Sequence, residues 1–255
     1  MNFGKISAVY CASSEVELEE IPSEGNTRQS LLKGLKALAS LDACEKRRQE
    51  CIAELINTEE AYVADMAIVK EVFEKPLRQN AVLTEYECHE IFVNWDELHH
   101  CNDKLLRALR VRKTRSNHGI ISTVGDIMCE NFPNMTQYIR YCACQLRACE
   151  ILHRKKEENS EFEAVHRICV TDARSKGMPL SSFLLKPTQR ITRYPLLLKN
   201  ILKNTPIGHP DRLYLEEALE KAEELCSQVE FWFAIYPDFG WETSGQADIY
   251  FTHFA

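Results

Sequence analysis

Glycine and proline are scarce in this chain, nine of each in 255 residues, which leaves few sites for tight turns and favours long helices. No segment alternates polar and apolar residues convincingly enough to read as a half-buried strand. There is no internal repeat and no glycine-rich loop of the kind that cradles phosphate. The eleven cysteines include no C-x-x-C pair, and Cys142, Cys144 and Cys149 fall instead on a helical pattern. The N-terminus, MNFGKISAVYCASSEVELEE, lacks the charged and then apolar regions of a signal peptide. With an odd cysteine count, this fits a reducing cytoplasm in which thiols serve as small buried apolar groups. His89, His99 and His100 lack the spacing of metal ligands, so no zinc site is expected. No apolar run approaches the length of a membrane span. A net charge of −7 argues against general nucleic-acid binding, whose affinity comes mainly from neutralising phosphates. The absence of a nucleophile–base or paired-acid constellation speaks against an enzyme with covalent chemistry.

What is present is helical periodicity. Hydrophobic content of 45% and charged content of 27% suit a globular protein with a real core. Residues 1–44 read as an acidic, turn-rich leader, partly disordered, with one short helix at LLKGLKALASL. From Glu45 to about Leu77 the apolar residues keep to one helical face, and Pro76 is expected to close that run. Thr84 opens a Ser/Thr-x-x-Glu capping box, predicting a helix to about Arg110, followed by a basic loop, RVRKTRSNHG. Helices are expected at about 131–156 and 160–172. Pro179 suits the first turn of a basic helix, and Pro210 with Asp211 starts the last one, with Leu215, Ala218, Leu219, Ala222, Leu225 and Val229 on one face. The fold class is therefore all-α, an elongated helical bundle.

Two features do not fit a plain bundle. From Ala173 to Pro210 there is no acidic residue, yet there are seven cations: Arg174, Lys176, Lys186, Arg190, Arg193, Lys199 and Lys203. At 100° per residue, Lys186, Gln189, Arg190 and Arg193 share an arc of about 100°. The stripe reads either as a solvated face or as a surface for an acidic partner, and the lack of an i,i+4 acid favours the second. Pro187 and Pro195 interrupt the same helix, and a proline in a helix interior costs ~3 kcal/mol that packing elsewhere must offset. The second feature is Glu59, placed among Leu55, Ile56, Tyr62 and Val63 on an apolar face. Its carboxylate is either paired with a core arginine or offered to a partner, since burying it alone is too costly.

These two helices carry a resemblance. ELINTEEAYVADM (54–66) resembles the first conserved region of Dbl homology domains, the guanine-nucleotide exchange modules for Rho-family GTPases. LLKPTQRITRYPLLLKNILKNTP (184–206) resembles their third. EKRRQ, FVNWDEL, LLRALRVRK, KGMPLSSFLLKPTQR and EALEKAEELCSQV extend the likeness over about residues 45–229. The resemblance implies an elongated six-helix bundle of Dbl homology type whose first and fifth helices form the GTPase-binding face. It implies that Glu59 binds switch I, that Lys186, Gln189 and Arg193 lie on the contacting face, and that Leu185 and Met178 make apolar contacts that help select the GTPase. Exchange then works by differential binding: the nucleotide-free GTPase is held better than the loaded one. Switch I moves and switch II is remodelled, which disfavours the bound magnesium, and the exchange domain itself needs no metal or cofactor. The implied partner is a Rho-family GTPase, cell division control protein 42 in preference to Rac. The implied location is the cytoplasm, at the cell periphery or endocytic sites, with the membrane reached only peripherally and through regions outside this chain.

Three departures from the family pattern stand out. Thr188 replaces an apolar methionine found in the members matched best, which weakens one selectivity contact. After CSQV, where the family's last helix continues and carries an asparagine at the GTPase contact, this chain has Glu230. Residues 230–255 form a non-family tail, FWFAIYPDFGWETSGQADIYFTHFA after Glu230, with nine aromatics in 25 residues and no Lys or Arg. A pleckstrin homology domain, which usually follows, needs about 100 residues and does not fit. The expectation is an exchange factor. The alternatives are a GTPase-binding module with little exchange activity, because its last helix is truncated, and a scaffold without a GTPase role.

Overall fold

Asp42 accepts a hydrogen bond from Glu45 N at 2.8 Å and so caps helix α1, Ala43–Ile68. The computed structural model describes residues 40–235. The leader up to residue 39 and the aromatic tail from residue 236 lie outside the described residues. Ile52, Leu55, Ile56, Tyr62 and Met66 form the buried side of α1, as their spacing predicts. The helix does not stop at Pro76. It widens into a π turn, Val69–Glu74, and continues as α2, Lys75–Gln79. Pro76 thereby falls in the first turn of the renewed segment, where its missing N–H matters least.

The Thr84–Glu87 capping box forms in both directions and starts α3, Glu85–Phe92. The single helix expected to Arg110 is broken at Val93, whose φ of 51° lies in the left-handed region that a β-branched residue rarely enters. Asn94 holds that corner through its side-chain amide, which donates to Gln137 O at 3.0 Å. Helix α4, Trp95–Thr114, follows, and Trp95 Nε1 donates to Met66 O at 3.0 Å, tying α4 to α1. Next come α5, Gly125–Asn131, a 3-10 turn, Phe132–Thr136, and α6, Gln137–Glu158. Helix α7, Ser160–Thr171, is capped by Asn159. After a second 3-10 turn, Ala173–Ser175, come α8, Leu180–Leu184, α9, Lys186–Lys203, and α10, Arg212–Ile235. The molecule is all-helical, a six-helix bundle built on α1, α4, α6, α7, α9 and α10, as expected. Extended pairing among the described residues is limited to one bridge, Asn117 with Ile120.

One contiguous core runs through these helices, with Trp95 edge-on to Tyr141 and Phe132 edge-on to Tyr194. Helices α5 and α10 approach so closely that a Cβ on Gly125 would lie 2.6 Å from Leu215 N. Asp211, fully buried, accepts from Val124 N at 3.1 and 3.0 Å and from Gly125 N at 2.8 Å, so the start of α10 caps the start of α5. Arg48 lies 3.6 Å from the same carboxylate and donates to Ile121 O at 2.8 Å, which brings the N-terminal part of α1 into that junction.

Helix α9 accommodates both of its prolines. Pro187 sits in the first turn, where no intrahelical bond is lost. Pro195 is internal and buried, and its missing N–H frees the carbonyl of Ile191, four residues earlier. Cys226 Sγ on α10 lies 3.4 Å from that carbonyl and donates to it. A weak thiol donor from the neighbouring helix thus takes the place of the absent amide.

The last helix continues through Ile235, six residues past the end of the sequence likeness at Val229. The expected truncation of α10 at that point is therefore corrected. Val229 is buried, and Glu230 and Phe231 are exposed.

Candidate functional site

Helices α1 and α9 run side by side, and the polar arc read from the sequence lies across the seam between them. Arg190 is on the inner edge of that arc, 4% exposed, and belongs to the interior rather than to a surface stripe. Its Nε donates to Glu59 Oε2 at 2.9 Å, a second guanidinium nitrogen contacts the same oxygen, and Nη1 donates to Thr58 Oγ1 at 2.9 Å. The guanidinium also lies 4.6 Å from the centre of the Tyr194 ring. Burial acts to lower the Arg190 pKa, but the Tyr194 and Glu59 oxygens around it outweigh that and raise it.

Glu59 is 0% exposed. Besides Arg190 it accepts from Tyr194 Oη at 2.8 Å and from Asn102 Nδ2 at 2.9 Å. Of the two readings left open by the sequence, the geometry of the chain alone is the internal one: the carboxylate is paired with a core arginine and not offered outward. Burial drives the pKa values of Tyr62, Tyr138 and Tyr194 well above the ordinary range, so all three hydroxyls stay protonated in this network.

Outside this buried pair the arc opens to solvent. Gln189 is exposed, and so is Arg193, whose Nη2 donates to Glu54 Oε1 at 3.0 Å. Lys186 is half-buried: its Nζ donates to Asp65 Oδ2 at 2.7 Å and lies 5.2 Å from the Phe183 ring centre. The premise that the stripe carries no neutralising acids is thus corrected. Three cations of α9 each find a carboxylate on α1, and those acids were invisible to an i,i+4 reading because they are more than 120 residues away in sequence.

The selectivity residues divide. Leu185 is half-buried at the junction of α8 and α9. Met178 is half-buried in the turn before α8 and packs on the core. Thr188 turns away from α1: its hydroxyl donates to Gln145 on α6, with Cys142 Sγ at 3.4 Å. Lys186, Gln189 and Arg193 are therefore brought together on one face, with Glu59 directly behind it and Thr188 on another side of the helix. Sequence reasoning missed Asn102, Tyr138 and Tyr194, which complete the network behind the face. The signal for Asn102 was a lone amide among Leu98, Cys101, Leu105 and Leu109 on the buried side of α4. Among the described residues, no group of three or more His, Cys, Asp or Glu side chains is placed to hold a metal, and no helix is long and apolar enough to cross a membrane.

Residues 51–230 match the RhoGEF domain family. Intersectin-1 of Xenopus laevis is 53% identical over 196 residues, covering 76% of this chain and 12% of that protein. Intersectin-1 of Homo sapiens is 49% identical over 211 residues, covering 82% of this chain and 12% of that protein. The chain thus spans only about 12% of the length of these relatives. Among solved structures, the DH/PH domains of p115-RhoGEF are similar with a TM-score of 0.73 at 28% identity, covering 78% of this chain and 55% of that one. The PDZ-RhoGEF DH/PH domains, crystallised with GTP-gamma-S activated RhoA, give a TM-score of 0.74 at 24% identity, with 78% and 57% covered, a likeness of fold.

Proposed function

The chain belongs to the RhoGEF domain family, whose members are exchange factors and not covalent catalysts, and from that premise we propose that it promotes nucleotide release from a Rho-family GTPase held against the α1–α9 face. The observation that carries this reading is the exposure of Gln189 and Arg193 beside half-buried Leu185 and Lys186 on one helix. The Arg193–Glu54 pair, with side chains 50% and 45% exposed, is of a kind worth ~0–1 kcal/mol. Such a cation can exchange its partner for an acid on a docked protein at little cost. The buried Glu59–Arg190 pair behind it gives the face a rigid base. The solved PDZ-RhoGEF complex with RhoA supports the same class of partner.

Exchange on this face is differential binding. Each tenfold preference for the nucleotide-free form over the loaded one shifts the release equilibrium tenfold, and a surface that held both equally would shift nothing. Contact between Glu59 and switch I, the role implied by the resemblance, requires the surface over the carboxylate to open on binding, because Glu59 is enclosed in the free domain. Cell division control protein 42 is the proposed preferred partner, on the family resemblance and on Leu185 at the start of α9. The proposed setting is cytoplasmic, at the cell periphery or endocytic sites, in Rho GTPase signalling to actin. A second reading, binding with little exchange, rests on exposed Glu230, an anion where the family places an amide. Fluorescent nucleotide release from cell division control protein 42, Rac and RhoA tests the proposal. Acceleration greatest for the first supports it, and acceleration of none refutes it.

A further inference from the structure

The polar network behind the face has a centre that touches none of the exposed surface. Asn102, on α4, is 0% exposed. Its Nδ2 donates to Glu59 Oε1 at 2.9 Å and to Tyr194 Oη at 2.8 Å. Its Oδ1 accepts from the Tyr138 hydroxyl at 2.8 Å, and Cys101 Sγ lies 3.4 Å from the same oxygen. The amide cannot be turned over, because a carboxylate only accepts and the edge that meets Glu59 has to be the nitrogen. With the amide fixed, Glu59 Oε2 faces Arg190 and receives the Tyr194 hydroxyl at 2.8 Å. Four helices meet in this way: α1 through Glu59, α4 through Asn102, α6 through Tyr138, and α9 through Tyr194 and Arg190. Packing alone would be served as well by a leucine. A fully satisfied buried amide gives orientation, which apolar packing does not.

We propose that Asn102 is a positioning residue for the α1–α9 face, acting through Glu59 and Arg190 to hold Gln189 and Arg193 of α9 in register with α1. The inference rests on the reading of that face as the GTPase-binding surface. Asn102 touches no partner itself, and its effect passes through the carboxylate it orients. Replacing the amide by an apolar group leaves Glu59 Oε1 without a donor and frees the carboxylate to rotate. Arg190 then loses its fixed acceptor, and the helix that carries Gln189 and Arg193 loses its anchor.

The test uses Asn102→Leu and Asn102→Asp in the full chain, with two readouts. The first needs no partner: hydrogen exchange of the Arg190 Nε–H, followed by NMR and assigned by its disappearance in Arg190→Lys. The second is affinity for nucleotide-free GTPase as a function of pH. Asn102→Leu is expected to speed Nε–H exchange and to weaken affinity by about tenfold, the equivalent of one buried hydrogen bond. Asn102→Asp sets a new carboxylate against Glu59, with Arg190, Tyr194, Tyr138, Tyr62 and Cys101 as the other charged or titratable groups around it. Two carboxylates at that separation hold one proton between them, so affinity is expected to recover as pH falls, relative to the wild-type profile. A purely structural role would show that recovery in stability alone, with the affinity of the folded protein parallel to wild type. A folded Asn102→Leu with wild-type exchange and affinity overturns the proposal, as does an Asn102→Asp profile parallel to wild type. If Asn102→Leu does not fold, Tyr138→Phe removes the hydroxyl that fixes Oδ1, together with its 3.0 Å contact to the Tyr62 hydroxyl, and Tyr62→Phe is the control for that second contact. A smaller change in the same direction supports the proposal, and none overturns it. If the wild-type chain binds no Rho-family GTPase, the functional reading fails, while the Arg190 Nε–H result still decides the role of Asn102.

Discussion

Glu59→Ala separates the two roles its carboxylate could have. In the structure the substitution removes the carboxylate that faces Arg190 Nε and leaves a guanidinium only 4% exposed, with the Thr58 and Tyr194 hydroxyls as neutral oxygens beside it. Arginine does not escape by losing its proton. Breaking a buried pair in this way costs ~3–5 kcal/mol. Set against a total stability of ~5–15 kcal/mol, that is a large fraction, and it corresponds to a fall in Tm of about 6–20 °C for a domain of this size. The assay is urea unfolding followed by far-UV circular dichroism, on wild type, Glu59→Ala, Arg190→Met and Glu59→Ala/Arg190→Met. Removing both charges relieves the buried guanidinium, so the double variant should be more stable than the sum of the single losses by ~2 kcal/mol. Part of the loss persists because Asn102 and Tyr194 still lack their acceptor. A Glu59→Ala variant within ~0.5 kcal/mol of wild type, with the surrounding effects additive, would refute the internal pairing.

Arg193→Glu should change stability by less than ~1 kcal/mol, because the pair it breaks is exposed. It should also weaken GTPase binding and flatten its salt dependence, as read by titration at two ionic strengths. Gly125→Ala should destabilise the bundle by ~1–3 kcal/mol, since the new methyl meets backbone of α10 and not a yielding side chain; a thermal melt checks this. Cys226→Val should destabilise by ~1 kcal/mol and Cys226→Ser by less, because serine keeps a donor for the Ile191 carbonyl freed by Pro195. Burial holds the His166 pKa below its ordinary 6.5, so the unfolded chain takes up a proton that the folded chain resists. The resulting stability is present above about pH 6.5 and lost as pH falls below it, and His166→Gln should reduce that slope. His209, depressed mainly by burial as well, should retain the remainder.

Helix positions were legible because apolar spacing and caps are local signals. The α1 face and the Thr84 capping box fall where the spacing put them. Pro76 misled because a proline forbids helix only in the interior, and the π turn moved it to a first turn. Val93 misled because a positive φ on a β-branched residue is held by tertiary contacts, here around Asn94, and not by its own preference. The candidate face was legible in composition but not in connectivity. Lys186, Gln189 and Arg193 do share a surface, whereas Arg190 lies inside it, because helical phase places residues to within one edge of an arc. Phase cannot show which edge a neighbouring helix covers. The acids that meet the stripe, Glu54, Glu59 and Asp65, were in plain view on α1, but only the packing of α1 on α9 assigns them. Thr188 is bound to Gln145, a pairing across 43 residues that no local pattern reports.

The central claim, that the α1–α9 face favours the empty GTPase, is met most directly by one ratio: the affinity of this chain for nucleotide-free cell division control protein 42 divided by its affinity for the GDP-loaded form. The account predicts a ratio well above ten for the wild-type chain, more than the ~1.4 kcal/mol of a single tenfold step. It also predicts a marked fall in that ratio for Arg193→Glu at unchanged fold. Equal affinity for the two forms, or a preference untouched by Arg193→Glu and by substitution of Gln189, would contradict it.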